Sequence, residues 1–135
     1  MPSNEILKER IAIRIAKATD ILHKSSGLIP QIVTAGQQLT DCILNDGKIL
    51  VLGNGSTAFI GQIFASHLMY RFERDRPGLP AISLNANATI ISPHNDASSS
   101  EQYSRQIKAL GKTSDCLIVI SSSETDTSVM QAVNA

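Results

Sequence analysis

The sequence lacks a surplus of charge of either sign. Its 135 residues contain twelve basic and twelve acidic side chains, so the formal net charge at pH 7 is zero. A dedicated nucleic-acid-binding domain normally carries a basic surplus, and we therefore do not expect direct binding to nucleic acid. A net charge near zero also removes the long-range repulsion between copies of a protein, which is compatible with self-association.

Long apolar runs, targeting signals and metal-spaced cysteines are also lacking. No apolar stretch reaches the roughly 20 residues that span a membrane. The polar start of the chain, residues 1–5, does not resemble a secretory signal. Cys42 and Cys116 lie far apart in the sequence and form no metal-binding spacing, so we expect two buried, reduced thiols rather than a disulfide. Together these absences predict a cytoplasmic protein without membrane contact.

The patterns that are present predict helices first and strands afterwards. Apolar residues recur at helical spacing from Leu7 to Leu22 and again from Ile32 to Leu44, with a break at residues 25–27. Short apolar runs at 48–52, 79–84 and 116–120 then predict three buried strands. A helical pattern follows each strand, with Thr57 as the expected N-cap of the first of these helices.

This order predicts an α/β fold with a doubly wound parallel sheet. We divide the chain into an N-terminal helical hairpin, residues 1–46, and a partial α/β domain, residues 47–135. The hairpin is expected to pack on the core or on a partner subunit. Because a three-stranded parallel sheet leaves two edges uncovered, we also expect a truncated chain or one that completes its sheet by association.

Two loops follow predicted strands at the edge of the sheet where open α/β folds bind ligands. The first contains Gly53-Asn54-Gly55-Ser56-Thr57, and the second contains Ser121-Ser122-Ser123. Small hydroxyl-bearing residues at a helix N-terminus offer backbone N–H groups and a positive dipole end to a phosphate. The first loop is neither a Walker motif nor a dinucleotide fingerprint. On composition alone, an anion site and a pair of plain tight turns are equally well supported.

Four segments together resemble the SIS (sugar isomerase) domain family in order and spacing: 52–58, 71–82, 95–96 and 115–123. Within that family they are similar to the phosphoheptose isomerases and to the DnaA initiator-associating proteins. The resemblance implies a flavodoxin-like three-layer αβα architecture. It also implies a sugar-phosphate site, which would comprise Asn54, Gly55, Ser56, Thr57, Asn95, Asp96, Ser121, Ser122 and Ser123. Asn95-Asp96 is equally well explained as a local turn.

The resemblance also shows where this chain departs from an enzyme. The isomerases carry a His and a Glu on the helix after the first loop, and the matching residues here are Ile63 and Ser66. Isoleucine neither transfers a proton nor binds a metal, so we expect no catalytic residue and no zinc or other cofactor. His67 is the one weak alternative base. In the second loop, Glu124 and Asp126 replace a Gly and a Ser and would repel a phosphate.

These departures favour a non-catalytic protein similar to the initiator-associating group. That resemblance implies a homotetramer whose partners are itself and the replication initiator, which it would help to assemble at the origin through several weak contacts. The alternatives are a sedoheptulose 7-phosphate isomerase of heptose and lipopolysaccharide synthesis, a sugar-phosphate sensor, or a decayed copy without a function of its own.

Overall fold

The computed structural model describes residues 3–86, 100–123 and 125–135. The chain forms two compact units, Met1–Gln37 and Gln38–Ala135. The elements in chain order are α1 (Asn4–Ser25), a short 3₁₀ turn (Ser26–Leu28), α2 (Ile29–Leu44), β1 (Ile49–Gly53), α3 (Thr57–Met69), β2 (Ala81–Ser83), α4 (Gln102–Leu110), β3 (Cys116–Ile120) and α5 (Thr127–Val133).

The first unit is dominated by α1, a helix of 22 residues of which none is buried. Its N-cap is Ser3, whose hydroxyl accepts the Ile6 N–H at 3.5 Å. An exposed ion pair joins Asp20 and Lys24 one turn apart, at 2.6 Å. The predicted amphipathic pattern is present, but its apolar side chains are exposed, and Leu22 retains 73% of its accessible surface.

The second unit is built on a parallel sheet with the strand order β2-β1-β3. Ile49 at the start of β1 pairs with Ala81 on one side and Cys116 on the other. All five residues of β1 are buried, because it is the central strand. Within the described residues, β2 and β3 each have one neighbouring strand. This architecture confirms the predicted α/β class with a parallel sheet.

Alternate residues of β1 face two different apolar clusters, as the two-residue period of a strand requires. Leu50 and Leu52 lie in one cluster, together with residues of α4 and α5. Ile49 and Val51 lie in the other, together with residues of α2 and α3. Helices therefore cover both faces of the sheet, which explains why the β1 sequence is apolar without interruption.

The turn from α2 into β1 depends on a close approach of the backbone. Asp46 takes the left-handed conformation, with φ of 57°. The next residue, Gly47, is needed for space, since a Cβ at this position would lie 2.1 Å from the Ser114 carbonyl oxygen. The glycine thus allows the start of β1 to lie against the segment that precedes β3.

Candidate functional site

The carboxyl end of β1 is held by two buried polar side chains. The Asn85 amide accepts the Gly53 N–H and donates to the Gly53 carbonyl, each at 2.8 Å. The Tyr103 hydroxyl donates to the same carbonyl at 2.9 Å and accepts from the Asn85 amide at 2.8 Å. Burial raises the pKa of Tyr103, and the Asp126 charge adds to this effect, so the hydroxyl stays protonated as a donor. These hydrogen bonds therefore fix the position of Gly53, where the first loop begins.

The first loop is closed on itself by Thr57. Its hydroxyl accepts the Asn54 N–H at 2.8 Å and contacts the Asn54 carbonyl at 2.7 Å. The same hydroxyl contacts the Ile120 carbonyl at the end of β3, at 2.5 Å. Thr57 is thus the first residue of α3 and not its N-cap, contrary to prediction. Ser56 holds the N-cap position without a side-chain capping bond.

The N-terminus of α3 is therefore open to solvent. Gly55 and Ser56 are exposed, and Gly55 has a positive φ of 55°. No acidic residue lies in the first turn of the helix. A 13-residue helix with an uncapped, electropositive end offers backbone donors to an anion.

At the second loop, in contrast, a carboxylate already caps the N-terminus of the following helix, α5. One oxygen of Asp126 accepts the Ser128 N–H at 2.9 Å, the Val129 N–H at 3.1 Å and the Ser128 hydroxyl at 2.6 Å. The other oxygen accepts from the Asn54 side chain. The Ser128 hydroxyl, the Val129 N–H and the other donors lower the pKa of Asp126 against a smaller effect of burial, so it remains charged.

The serine run of the second loop lies on the surface beside this carboxylate. Ser121, Ser122 and Ser123 are exposed. The Ser121 hydroxyl donates to the Ser123 carbonyl at 2.7 Å, and the Ser123 hydroxyl lies 3.3 Å from that of Thr125. The bonds of Asn54 to Asp126 and of Thr57 to Ile120 bring this run to the same edge as the first loop. Of the predicted site residues, Asn95 and Asp96 lie outside the described residues, as does Glu124.

Ile63 and Ser66 of α3 are the positions for which the resemblance implied a His and a Glu. Ile63 is exposed, and the Ser66 hydroxyl donates to the Ile63 carbonyl at 2.8 Å. His67 stacks on Phe72 with ring centroids 4.8 Å apart. At about 1.5 Å per residue, His67 lies roughly 15 Å along the helix from Thr57. Its imidazole is therefore remote from the loop edge of its own chain.

Asn85 and Tyr103 hold the start of the first loop, and the sequence patterns did not single them out. Asn85 directly follows the second predicted strand, so its place at the loop edge could have been inferred from topology. Tyr103 lies in a helical pattern, which does not determine where its hydroxyl points. Among the residues that the structure covers, no three His, Cys, Asp or Glu side chains converge as a metal site would require. None of the helices it covers is long and apolar enough to span a membrane.

Comparison with known proteins identifies the domain. The family model of the SIS domain, which describes the sequences of that family, matches residues 14–135. The chain belongs to the SIS-domain family. Its curated relatives include the phosphoheptose isomerase of Chromohalobacter salexigens, 44% identical over 114 residues, which are 84% of this chain and 58% of that protein. The phosphoheptose isomerase of Coxiella burnetii is 42% identical over 109 residues, or 80% of this chain and 55% of that protein.

Solved structures agree with this assignment. The phosphoheptose isomerase GmhA from Neisseria gonorrhoeae superposes with a TM-score of 0.85 at 31% identity, covering 95% of this chain and 67% of that one. The phosphoheptose isomerase from Francisella tularensis gives a TM-score of 0.84 at 33% identity, with 95% and 68% covered. The SIS-domain chain thus spans between half and two thirds of these relatives.

The prediction of a replication-initiator-associating protein is wrong in the light of these relatives. They are phosphoheptose isomerases in both the curated and the structural comparison. The prediction gave most weight to two positions on α3, Ile63 and Ser66. The similarity to isomerases extends over about four fifths of the chain, which outweighs two substituted side chains.

Proposed function

We propose that this SIS-domain protein acts on a sugar phosphate as phosphoheptose isomerases do, with sedoheptulose 7-phosphate as the ligand to be tested first. The observation that carries the proposal is the meeting of two loops at the carboxyl edge of the sheet. Asn54 and Thr57 of the first loop are bonded to Asp126 and Ile120 beside the second. Ligands of open parallel sheets bind at this edge.

The phosphate is expected at the N-terminus of α3 rather than at that of α5. The α5 end is filled by the Asp126 carboxylate, which would repel a second anion. The α3 end has no side-chain cap and no acidic residue in its first turn. Ser56 and Ser122 are exposed on the two loops that meet at this edge, and their hydroxyls can donate to phosphate and sugar oxygens.

Isomerisation is the second part of the proposal, supported by the 44% identity to a phosphoheptose isomerase. The reaction needs a base that moves a proton next to the carbonyl. Asp126 is a weak base, because its oxygens are engaged and its pKa is lowered. We therefore expect turnover to be slow unless a group from elsewhere in the assembled protein completes the site.

Self-association belongs to the same proposal. The apolar side chains of α1 and α3 are exposed in the single chain, among them Ile11, Ile15, Phe59 and Ile63. Covering such surface stabilises an assembly by about 25 cal/mol for each Å² removed from water.

Calorimetric titration with sedoheptulose 7-phosphate tests the binding proposal. We expect a saturable signal that inorganic phosphate competes for and that unphosphorylated sedoheptulose does not reproduce. Ser56→Ala should raise Kd about tenfold, since a hydrogen bond to a charged group contributes about 1.5 kcal/mol. The control is Ser66→Ala, whose hydroxyl bonds within its own helix. No heat at millimolar ligand, or equal Kd values for the two variants, would contradict the proposal.

A turnover assay with the same ligand tests the isomerase part separately. Conversion to the aldose isomer should be measurable and should fall with Ser56→Ala in proportion to occupancy. His67→Ala should leave the rate unchanged if His67 is as remote in the assembly as in the single chain. Binding without conversion would support a sugar-phosphate sensor and remove the isomerase.

A further inference from the structure

The two cysteines, distant in the sequence, meet where α2 lies against the start of β3. The Cys42 thiol donates to the Lys48 carbonyl at 3.5 Å, and the Cys116 N–H donates to that same carbonyl at 3.1 Å. The Cys116 thiol points back to α2 and donates to the Gln38 carbonyl at 3.8 Å. Gln38 lies one helical turn before Cys42. The Lys48 carbonyl and the helical turn from Gln38 to Cys42 therefore place the two thiols close together.

The packing around the thiols agrees with this placement. Cys42 is 6% exposed and belongs to the apolar cluster of Ile49, Val51, Ala65 and Ala81, against which Cys116 packs. Cys116 is half-buried, so a small oxidant can reach its sulfur. Both cysteines are free thiols in this structure. The Cys116 thiol is therefore accessible to solvent, and the neighbouring Cys42 thiol is protected from it.

We propose that Cys42 and Cys116 form an oxidisable dithiol, which closes to an intramolecular disulfide between α2 and β3 when the protein meets a two-electron oxidant such as hydrogen peroxide. None of the loop residues assigned to sugar-phosphate binding takes part. The proposal is therefore independent of the function proposed above.

The chemistry proceeds in two balanced steps. The Cys116 sulfur attacks one peroxide oxygen, the O–O bond breaks, and a sulfenic acid and one water form after proton transfer. The Cys42 sulfur then attacks the Cys116 sulfur, the S–S bond forms, the S–O bond breaks, and a second water leaves. The two thiols lose two electrons and two protons in total, and peroxide is reduced to two waters.

The charges around Cys116 set the pH dependence of the first step. Burial raises the pKa of the Cys116 thiol, and the facing Cys42 thiol and the Asp115 carboxylate raise it further. The Lys48 ammonium is paired with Asp115. Since the thiolate is the nucleophile, oxidation should be slow at neutral pH and faster in mild alkali.

Peptide mapping of the peroxide-treated full chain tests the proposal. After quenching and alkylation, trypsin should release the peptides 25–48 and 113–135 joined, with the mass lowered by about 2 Da relative to the two free peptides. The protein should run as a monomer on a denaturing gel without reductant, and dithiothreitol should separate the peptides. The disulfide closes a loop of roughly 75 residues, so Tm should rise by about 5–10 °C.

The control variant is Cys116→Ser, which changes the half-buried thiol and keeps the buried one. It should give no joined peptides and no rise in Tm. If this variant does not fold, the alkylation pattern of the unmodified protein still decides. Three results would overturn the proposal: sulfinic or sulfonic acid at Cys116 without a cross-link, a disulfide between two chains, or thiols that stay reduced in the folded protein under conditions that oxidise them in urea.

Discussion

Asp115 connects three parts of the chain through one carboxylate. The carboxylate accepts hydrogen bonds from the Lys48 ammonium at 2.5 Å, the Lys48 N–H at 2.9 Å and the Lys112 N–H at 2.7 Å. The Asp115 side chain is 5% exposed. Burial opposes its ionisation, but the hydrogen bonds and charge of Lys48 and the Lys112 N–H outweigh this and lower the pKa of Asp115.

Because the pKa of Asp115 is lowered on folding, its stabilising contribution is present at neutral pH and is lost as the pH falls below the ordinary aspartate value of about 4. We expect Asp115→Asn to lose about 3 kcal/mol of unfolding free energy at pH 7, since Lys48 is left without its partner. This difference should shrink in acid. Urea denaturation at pH 7 and pH 3 measures both values.

The matched control for this prediction is Asp20→Asn, which breaks the exposed pair with Lys24. That change should cost less than about 0.5 kcal/mol, because exposed ion pairs contribute little. Equal losses for the two variants would contradict the role assigned to Asp115.

The negative charge of Asp126 should affect the binding of a phosphate at the loops. Replacing it with Asn keeps an N-capping side chain on α5 and removes one negative charge near the loops. If a phosphate binds at the α3 end, the loss of repulsion of about 1 kcal/mol should lower its Kd about fivefold. Titration with sedoheptulose 7-phosphate measures the change.

Asp41→Asn supplies the charge-matched control, since Asp41 lies on α2 and is exposed. It should leave the affinity unchanged. A weaker affinity in the Asp126→Asn variant would mean that the carboxylate organises the site instead of competing with the phosphate.

Individual elements show how far sequence patterns reach. The strand at 116–120 was predicted to the residue, and the one at 48–52 was displaced by a single position. Continuous apolar runs of this length are strong local signals for strands, although the residues of β3 are only half-buried. The strand predicted at 79–84 is shorter in the structure, Ala81–Ser83, and pairs with Ile49–Val51 of β1.

The loop edge was less predictable than the strands. The resemblance implied a sugar-phosphate role for Asn54, Thr57 and the serine run, which stays a prediction. The contacts of Asn85, Tyr103 and Asp126 depend on which strands are neighbours. Such contacts join residues far apart in the sequence, and no local pattern encodes them. The positions Asn95 and Asp96 stay a prediction.

At the scale of an element, α4 is anchored to β1 by one hydroxyl. We expect Tyr103→Phe to lose about 1–2 kcal/mol of unfolding free energy, because the Asn85 amide loses an acceptor and the Gly53 carbonyl loses a donor in a buried place. Tyr70→Phe is the control, since Tyr70 is exposed and its ring contacts Arg71. Similar stability of the two variants in urea would show that the anchor is unimportant.

The junction of β1 and α3 gives a second prediction for an element. A Cβ on Gly53 would lie 2.4 Å from the Thr57 carbonyl oxygen, so Gly53→Ala must displace the backbone of the first loop. We expect a loss of about 2–3 kcal/mol, as for overpacked cores, together with weaker sugar-phosphate binding.

Gly36→Ala on α2 provides the comparison for the Gly53 substitution. A Cβ at Gly36 meets no atom within 4 Å, and alanine favours the helix, so stability should be unchanged or rise by up to about 1 kcal/mol. Thermal unfolding of both variants distinguishes steric from conformational effects. A Gly53→Ala protein as stable as the parent would show that the junction can adjust.

The whole molecule is expected to associate through its exposed apolar helices. Light scattering after gel filtration should give a mass that is a multiple of the 14.5 kDa chain. The pair Ile11→Gln and Ile15→Gln should shift the mass towards the monomer, because both side chains lie on one face of α1. The pair Arg10→Gln and Arg14→Gln should not. A monomeric parent protein would contradict the proposed assembly.

The position of β1 at the centre of the sheet also sets the order of events during synthesis. Ile49 pairs with Cys116, so the ribosome must add about 70 further residues before the edge of β1 that faces β3 can form its hydrogen bonds. At roughly 5–20 residues per second, β1 waits on the order of 3–14 s with its backbone groups unpaired on that side. During that interval β1 of the nascent chain has an unpaired edge, which is the kind of edge with which a strand of another chain can pair.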